Sequence, residues 1–132
     1  MPESRASSRP IRVLLVDDDA ENRRLVRHLL EGWDFDVVGE AVDGMEGVEL
    51  AGKLVPDVVL MDVRMPIMDG IEATKIITGK LPRTRVVLLT THDDRFLRRR
   101  AEEHGASDYL SKEGPAVLIR DAILRDRRSE AE

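Results

Sequence analysis

The chain has 132 residues, with 42% hydrophobic and 36% charged side chains. That suits one domain with a core that needs no metal or disulfide staples, and it excludes a disordered polyelectrolyte. There is no cysteine, which removes disulfide scaffolds, zinc-thiolate sites and thiol nucleophiles, and the net charge of -5 argues against non-specific nucleic-acid binding.

The first ten residues, MPESRASSRP, form a polar leader without the apolar stretch of a signal peptide. No later run approaches the roughly 18 to 20 apolar residues of a membrane span, so a soluble, cytoplasmic protein without membrane contact is expected. Strands are expected at Ile11–Val16, Phe35–Gly39, Val58–Met61 and Val86–Leu89, with a weaker fifth at Tyr109–Ser111. Helical spacing fills the gaps. Asn22, Leu25, Val26, Leu29 and Leu30 share one face, and Met45–Leu54 is a shorter, glycine-rich helix. Gly70, Ala73, Thr74 and Ile77 line a third helix, and Leu97 with Ala101 a fourth. Gly114-Pro115 opens a fifth, in which Leu118 and Ile119 pair with Ala122 and Ile123.

Strand and helix alternate five times, which implies parallel strands joined by right-handed crossovers. The expected fold is α/β, a doubly wound, flavodoxin-like (βα)5 domain with a five-stranded parallel sheet in the order 2-1-3-4-5. Function in such a sheet sits beyond the carboxyl ends of the strands, where the order reverses, here between strands 1 and 3. Strand 1 runs into Asp17, Asp18 and Asp19, and strand 3 into Asp62. Carboxylates crowded this way repel unless a cation joins them, and hard oxygen donors favour Mg²⁺. Asp19 also fits the N-cap of the first helix. Asp57 belongs to the same strand as Asp62 but precedes the aliphatic run, so it lies roughly 17 Å away at the other end of the sheet.

Strands 4 and 5 bring Thr90 and Lys112 to the same edge. A hydroxyl and an ammonium facing a metal-bound carboxylate suit a phosphoryl group, with Asp62 as the nucleophile and Mg²⁺ as the aligning ion. Arg95, Arg98, Arg99 and Arg100 make a basic run on the fourth helix, either a solvated face or a docking face for an acidic partner. His92 lies at the mouth of this site, and His28 and His104 are surface and helix-end residues. Trp33 follows the first helix, at the end of the sheet remote from Asp62.

The segments LLVDDD (14–19), LMDVRMPIMDG (60–70), VVLLTTHD (86–93) and GASDYLSK (105–112) resemble the receiver domain of bacterial two-component response regulators, most of all the NarL/FixJ subgroup. The resemblance covers about Ile11 to Leu124. It implies that Asp62 takes a phosphoryl group from a sensor histidine kinase. It also implies that Asp17, Asp18, Asp62 and the main-chain carbonyl of Arg64 hold Mg²⁺, and that Thr90 and Lys112 bind the phosphoryl oxygens. Tyr109 matches the switch aromatic, which turns inward as Thr90 moves and changes the helix 4–strand 5–helix 5 face. That face would control a DNA-binding output domain or a downstream protein, or mediate a homodimer, without direct nucleic-acid binding by this chain. Such a domain phosphorylates and dephosphorylates itself rather than turning over a metabolite.

The pattern departs from the family at four places: Glu113 for proline, Thr91 for a smaller residue, and Ile67 and Asp108 for glycine. Those at Thr91, Ile67 and Glu113 are the only support for a phosphorylation-independent pseudo-receiver, a binding module. A receiver over residues 11–128 leaves 129–132 as a short tail with no output domain. The chain is then either a single-domain regulator or the excised receiver of a longer one.

Overall fold

The computed structural model describes residues 9–91 and 94–131, with side chains through Arg125. Five strands alternate with five helices: β1 (Arg12–Val16), α1 (Ala20–Gly32), β2 (Asp36–Ala41), α2 (Gly44–Leu54), β3 (Val58–Asp62), α3 (Gly70–Lys80), β4 (Arg85–Thr90), α4 (Arg95–Glu103), β5 (Asp108–Ser111) and α5 (Val117–Ala131). All pairings are parallel and the order is β2-β1-β3-β4-β5, as the alternation requires.

The three central strands, β1, β3 and β4, each carry a continuous apolar run because helices cover both faces. Successive side chains alternate between the faces. Val13, Leu15, Val58, Leu60, Val87 and Leu89 pack with Val26 and Leu30 of α1 and Ile119, Ala122 and Ile123 of α5. Leu14, Val16, Val59, Met61, Val86 and Leu88 pack with Ala51, Ile71, Ala73, Ile77 and Ala101 of the other three helices. Each buried aliphatic side chain of this size contributes roughly 1.5–3 kcal/mol.

Four helices start on an aspartate whose side chain accepts main-chain N–H bonds: Asp19, Asp43, Asp69 and Asp94. Each satisfies an orphan donor and places negative charge at the positive end of the helix dipole. Two glycines let backbones meet near β3. A Cβ on Gly44 would lie 2.2 Å from the carbonyl oxygen of Met68, and one on Gly70 2.3 Å from that of Asp62. The loop after Asp62 is thereby pressed against α2, and Gly70 N–H closes it onto the Val63 carbonyl at 2.7 Å.

Four expectations need correction. Leu25 and Leu118 do not join the core; they are 60% and 44% exposed, because the buried stripes of α1 and α5 are narrower than the apolar ones. β2 extends to Ala41, whose carbonyl accepts the Asp17 N–H. α5 continues to Ala131, past the end expected near Arg125–Arg128, since no glycine or proline interrupts RDRRSEA. The expected tail is thus helical through Ala131. Of the expected leader, residues 1–8 lie outside the described residues, and Arg9 and Pro10 are exposed.

Ile67 has φ +72° and is 74% exposed. A β-branched residue pays a steric penalty in this left-handed region, and here burial does not offset it. Ile67→Gly is therefore expected to raise unfolding stability by about 1 kcal/mol, read from chemical denaturation. A loss of similar size would show that the isoleucine side chain makes a compensating contact.

Candidate functional site

Register brings the site together. Val16 of β1 pairs with Met61 of β3, so Asp17 and Asp62 leave adjacent strands at the same level. Asp62 pairs with Leu89 of β4, and Thr90 pairs with Ser111 of β5. The Lys112 N–H continues the ladder to the Thr90 carbonyl at 2.8 Å. Asp17, Asp62, Thr90 and Lys112 therefore share one edge of the sheet. Asp57 sits at the opposite edge, where its carboxylate accepts the Arg12 N–H at 2.8 Å.

Asp17 and Thr90 are buried, at 3% and 1% exposed, and Asp62 is 9% exposed, whereas Asp18 faces solvent. One carboxylate oxygen from each of Asp17, Asp18 and Asp62 lies within 4.8 Å of the other two. The Lys112 ammonium reaches across from β5 to 3.2 Å from Asp17 Oδ2 and 3.2 Å from Asp62 Oδ2. Burial raises the Asp62 pKa above the usual carboxylate range; Lys112 opposes that shift and Asp17 adds to it. Burial alone would lower the Lys112 pKa, but the pull of Asp62 and Asp17 outweighs it and leaves the ammonium above its ordinary value. Among the described residues, one ammonium faces three carboxylates, which leaves an excess of negative charge.

Asp17 is held on several sides. Its Oδ1 accepts the Asp19 N–H at 2.9 Å, and its Oδ2 accepts from the Asn22 amide as well as from Lys112. The Arg23 guanidinium donates to the Asp17 carbonyl at 2.8 Å and to Glu40 Oε1 at 3.0 Å. The sequence placed Asn22 only on a helical face, and neither its role nor that of Arg23 on Asp17 was foreseen. The available signal was an amide on a helical face otherwise made of Leu and Val, one turn beyond the acidic run.

Asp19 turns away and caps α1, as expected, accepting from Glu21 N at 3.0 Å. Arg64 is exposed at the start of the β3–α3 loop. Tyr109 packs inward, 4% exposed, with the Arg98 guanidinium carbon 5.0 Å from its ring centroid. Thr91 is exposed, and His92 lies outside the described residues. Glu113 is held in a turn by Ser111: Ser111 Oγ accepts the Glu113 N–H at 3.1 Å. Asp108 pairs with Arg125 of α5 at 2.6 Å.

Fold and edge together define a doubly wound α/β domain with an acidic pocket and one bridging lysine at its topological switch point. The sequence profile of the response regulator receiver domain matches residues 13–124. The chain is 46% identical over 121 residues to the transcriptional regulatory protein LiaR of Bacillus subtilis, covering 91% of this chain and 57% of LiaR. It is 42% identical over 115 residues to LnrK of the same organism, covering 86% and 52%. The signal receiver domain of the putative response regulator NarL from Mycobacterium tuberculosis superposes with a TM-score of 0.82 at 36% identity, over 90% of this chain and 97% of that one. The chain belongs to the response regulator receiver domain family, a module of two-component signalling. It spans about half the length of the curated relatives it matches.

The raised Asp62 pKa carries a stability consequence. For an acid held above its ordinary value, the folded state is penalised once pH exceeds the unfolded value, and the full penalty applies above the folded one. Asp62→Asn is therefore expected to raise the melting temperature at neutral pH in chelator. The advantage should shrink as pH falls through the carboxyl range. An unchanged or lower neutral melting temperature would contradict this account.

Proposed function

We propose that Asp62 accepts a phosphoryl group from the phosphohistidine of a sensor histidine kinase, within a receiver unit spanning about residues 11–128. The observation that carries this reading is the nearly buried Asp62 carboxylate, 3.2 Å from the Lys112 ammonium, beside Asp17, Asp18 and the end of β4 at Thr90. A carboxylate oxygen of Asp62 bonds to phosphorus while the phosphorus–nitrogen bond breaks and its electron pair returns to the imidazole. Lys112 offsets charge on the phosphoryl oxygens, and the Thr90 hydroxyl donates a hydrogen bond to one of them.

The donor set fits Mg²⁺. It offers oxygen ligands only, and exposed Asp18 leaves room for the water ligands this ion keeps. Asp17, Asp18, Asp62 and the Arg64 carbonyl are the groups that would hold it. When bound, the ion supplies positive charge where negative charge builds up on the transferring group.

Tyr109 and Thr90 are the proposed switch pair, and the α4–β5–α5 face is the surface they control. Phosphate biases a two-state equilibrium by binding one state better. Two relatives named as transcriptional regulatory proteins, of which the matched regions cover only 52% and 57%, favour a DNA-binding output domain as the controlled partner, with the chain itself not touching nucleic acid. A homodimer through the same face and a cytoplasmic setting belong to the same reading. The chain acts as a switch that modifies itself rather than as a catalyst for a metabolite. A phosphorylation-independent binding module is less favoured, since every group the transfer needs is present.

Incubation with Mg²⁺ and a small phosphodonor is expected to add one phosphoryl group by intact mass. Uptake should fall to background without Mg²⁺ or in Asp62→Asn. A folded wild-type protein that gains nothing from donor or kinase would overturn the proposal.

A further inference from the structure

α4 is the shortest of the five helices. It spans nine residues, and Ala101 is its one buried side chain, with Leu97 partly buried against the core. Its four arginines are not equivalent. Arg95 and Arg99 are exposed and Arg100 is half-buried, whereas Arg98 lies over the Tyr109 ring with its guanidinium carbon 5.0 Å from the centroid. At that distance a guanidinium is attracted by the negative face of the ring, and its planar group also covers the ring from water. The next residue back along β5, Asp108, takes Arg125 of α5 at 2.6 and 2.8 Å. Consecutive residues of β5 thus each receive a guanidinium, one from each flanking helix.

We propose that Arg98 is a positioning residue for Tyr109: its guanidinium holds the ring inward and ties α4 to β5 before any phosphoryl group is present. The α4–β5–α5 face is then already set toward the ring-inward arrangement in the resting chain, and phosphorylation completes a bias that Arg98 begins. The signalling consequence rests on the reading of Tyr109 as the switch aromatic; the positioning itself does not. The basic run of α4 is therefore divided, with Arg98 serving the interior and Arg95 and Arg99 facing solvent.

Tyr109 is the only tyrosine in the chain, so 3-fluorotyrosine labelling gives one ¹⁹F probe. The full chain is compared without phosphodonor as wild type, Arg98→Ala, Arg98→Lys and Arg99→Ala. Alanine and lysine are both good helix formers, and circular dichroism checks that α4 persists. The wild-type signal is expected to show a small solvent isotope shift. Arg98→Ala should raise the solvent-exposed fraction of the ring about two- to fivefold, the scale of one such contact. Arg98→Lys should restore part of the loss, and Arg99→Ala, which removes the same charge, should match wild type. An Arg98→Ala spectrum superposing on wild type, or an equal change in Arg99→Ala, overturns the proposal. Intact mass after phosphodonor treatment of the same samples tests Asp62 separately, so failed phosphoryl uptake would overturn the acceptor reading while the donor-free spectra still decide the role of Arg98.

Discussion

Carboxylate oxygens of Asp17, Asp18 and Asp62 approach within 4.8 Å of one another, and carboxylates this close repel one another unless positive charge sits among them. Lys112 supplies that charge from the far side of β4, and its four-carbon stem gives the reach. This contact requires β1, β3, β4 and β5 to end at one level, which the parallel registers provide. It also requires the acidic residues to stay put rather than move apart into solvent. The caps, the close glycine contacts and the Asp17 hydrogen bonds meet that need.

The support continues outward from the pocket. Arg23 connects the Asp17 carbonyl to Glu40 on β2, and Arg27 binds the same glutamate. The Arg27 hydrogen bond is the largest influence holding the Glu40 carboxyl below its ordinary pKa, against the opposing effect of burial. On the other side, Gly70 packs its Cα onto the Asp62 carbonyl and Gly44 packs under Met68. The start of α3, the start of α2 and the loop after Asp62 are therefore closely packed on one another. Across β4 and β5, the shorter α4 buries only the Ala101 side chain.

Most of the fold was legible because its signals are strong and redundant. β1, β3 and β4 each contain a continuous apolar run, and the alternation alone implied a parallel sheet and its switch point. The placement of Asp62 with Asp17 and Asp18, and of Asp57 at the opposite edge, followed from strand direction and needed no side-chain detail. The misses concern quantities that periodicity does not carry. Leu25 and Leu118 lie on apolar stripes, yet the width of the buried stripe depends on how each helix sits on the sheet. The end of α5 was misplaced because a charged helix and a charged tail look alike in sequence. Asn22 and Arg23 act on Asp17 through three-dimensional proximity, and Arg98 reaches Tyr109 across two elements; neither contact has a spacing rule.

As proposed, this crowded acidic edge is a divalent-cation site whose charge Lys112 only partly neutralises. The most direct test is the melting temperature of wild type and Asp18→Asn during titration with Mg²⁺, against NaCl at matched ionic strength. Mg²⁺ is expected to stabilise wild type beyond the salt control. Asp18→Asn is expected to need roughly tenfold or more metal for the same shift, since even outer-shell partners carry that much affinity. Equal Mg²⁺ dependence in the two proteins, or a shift reproduced by NaCl, would contradict it.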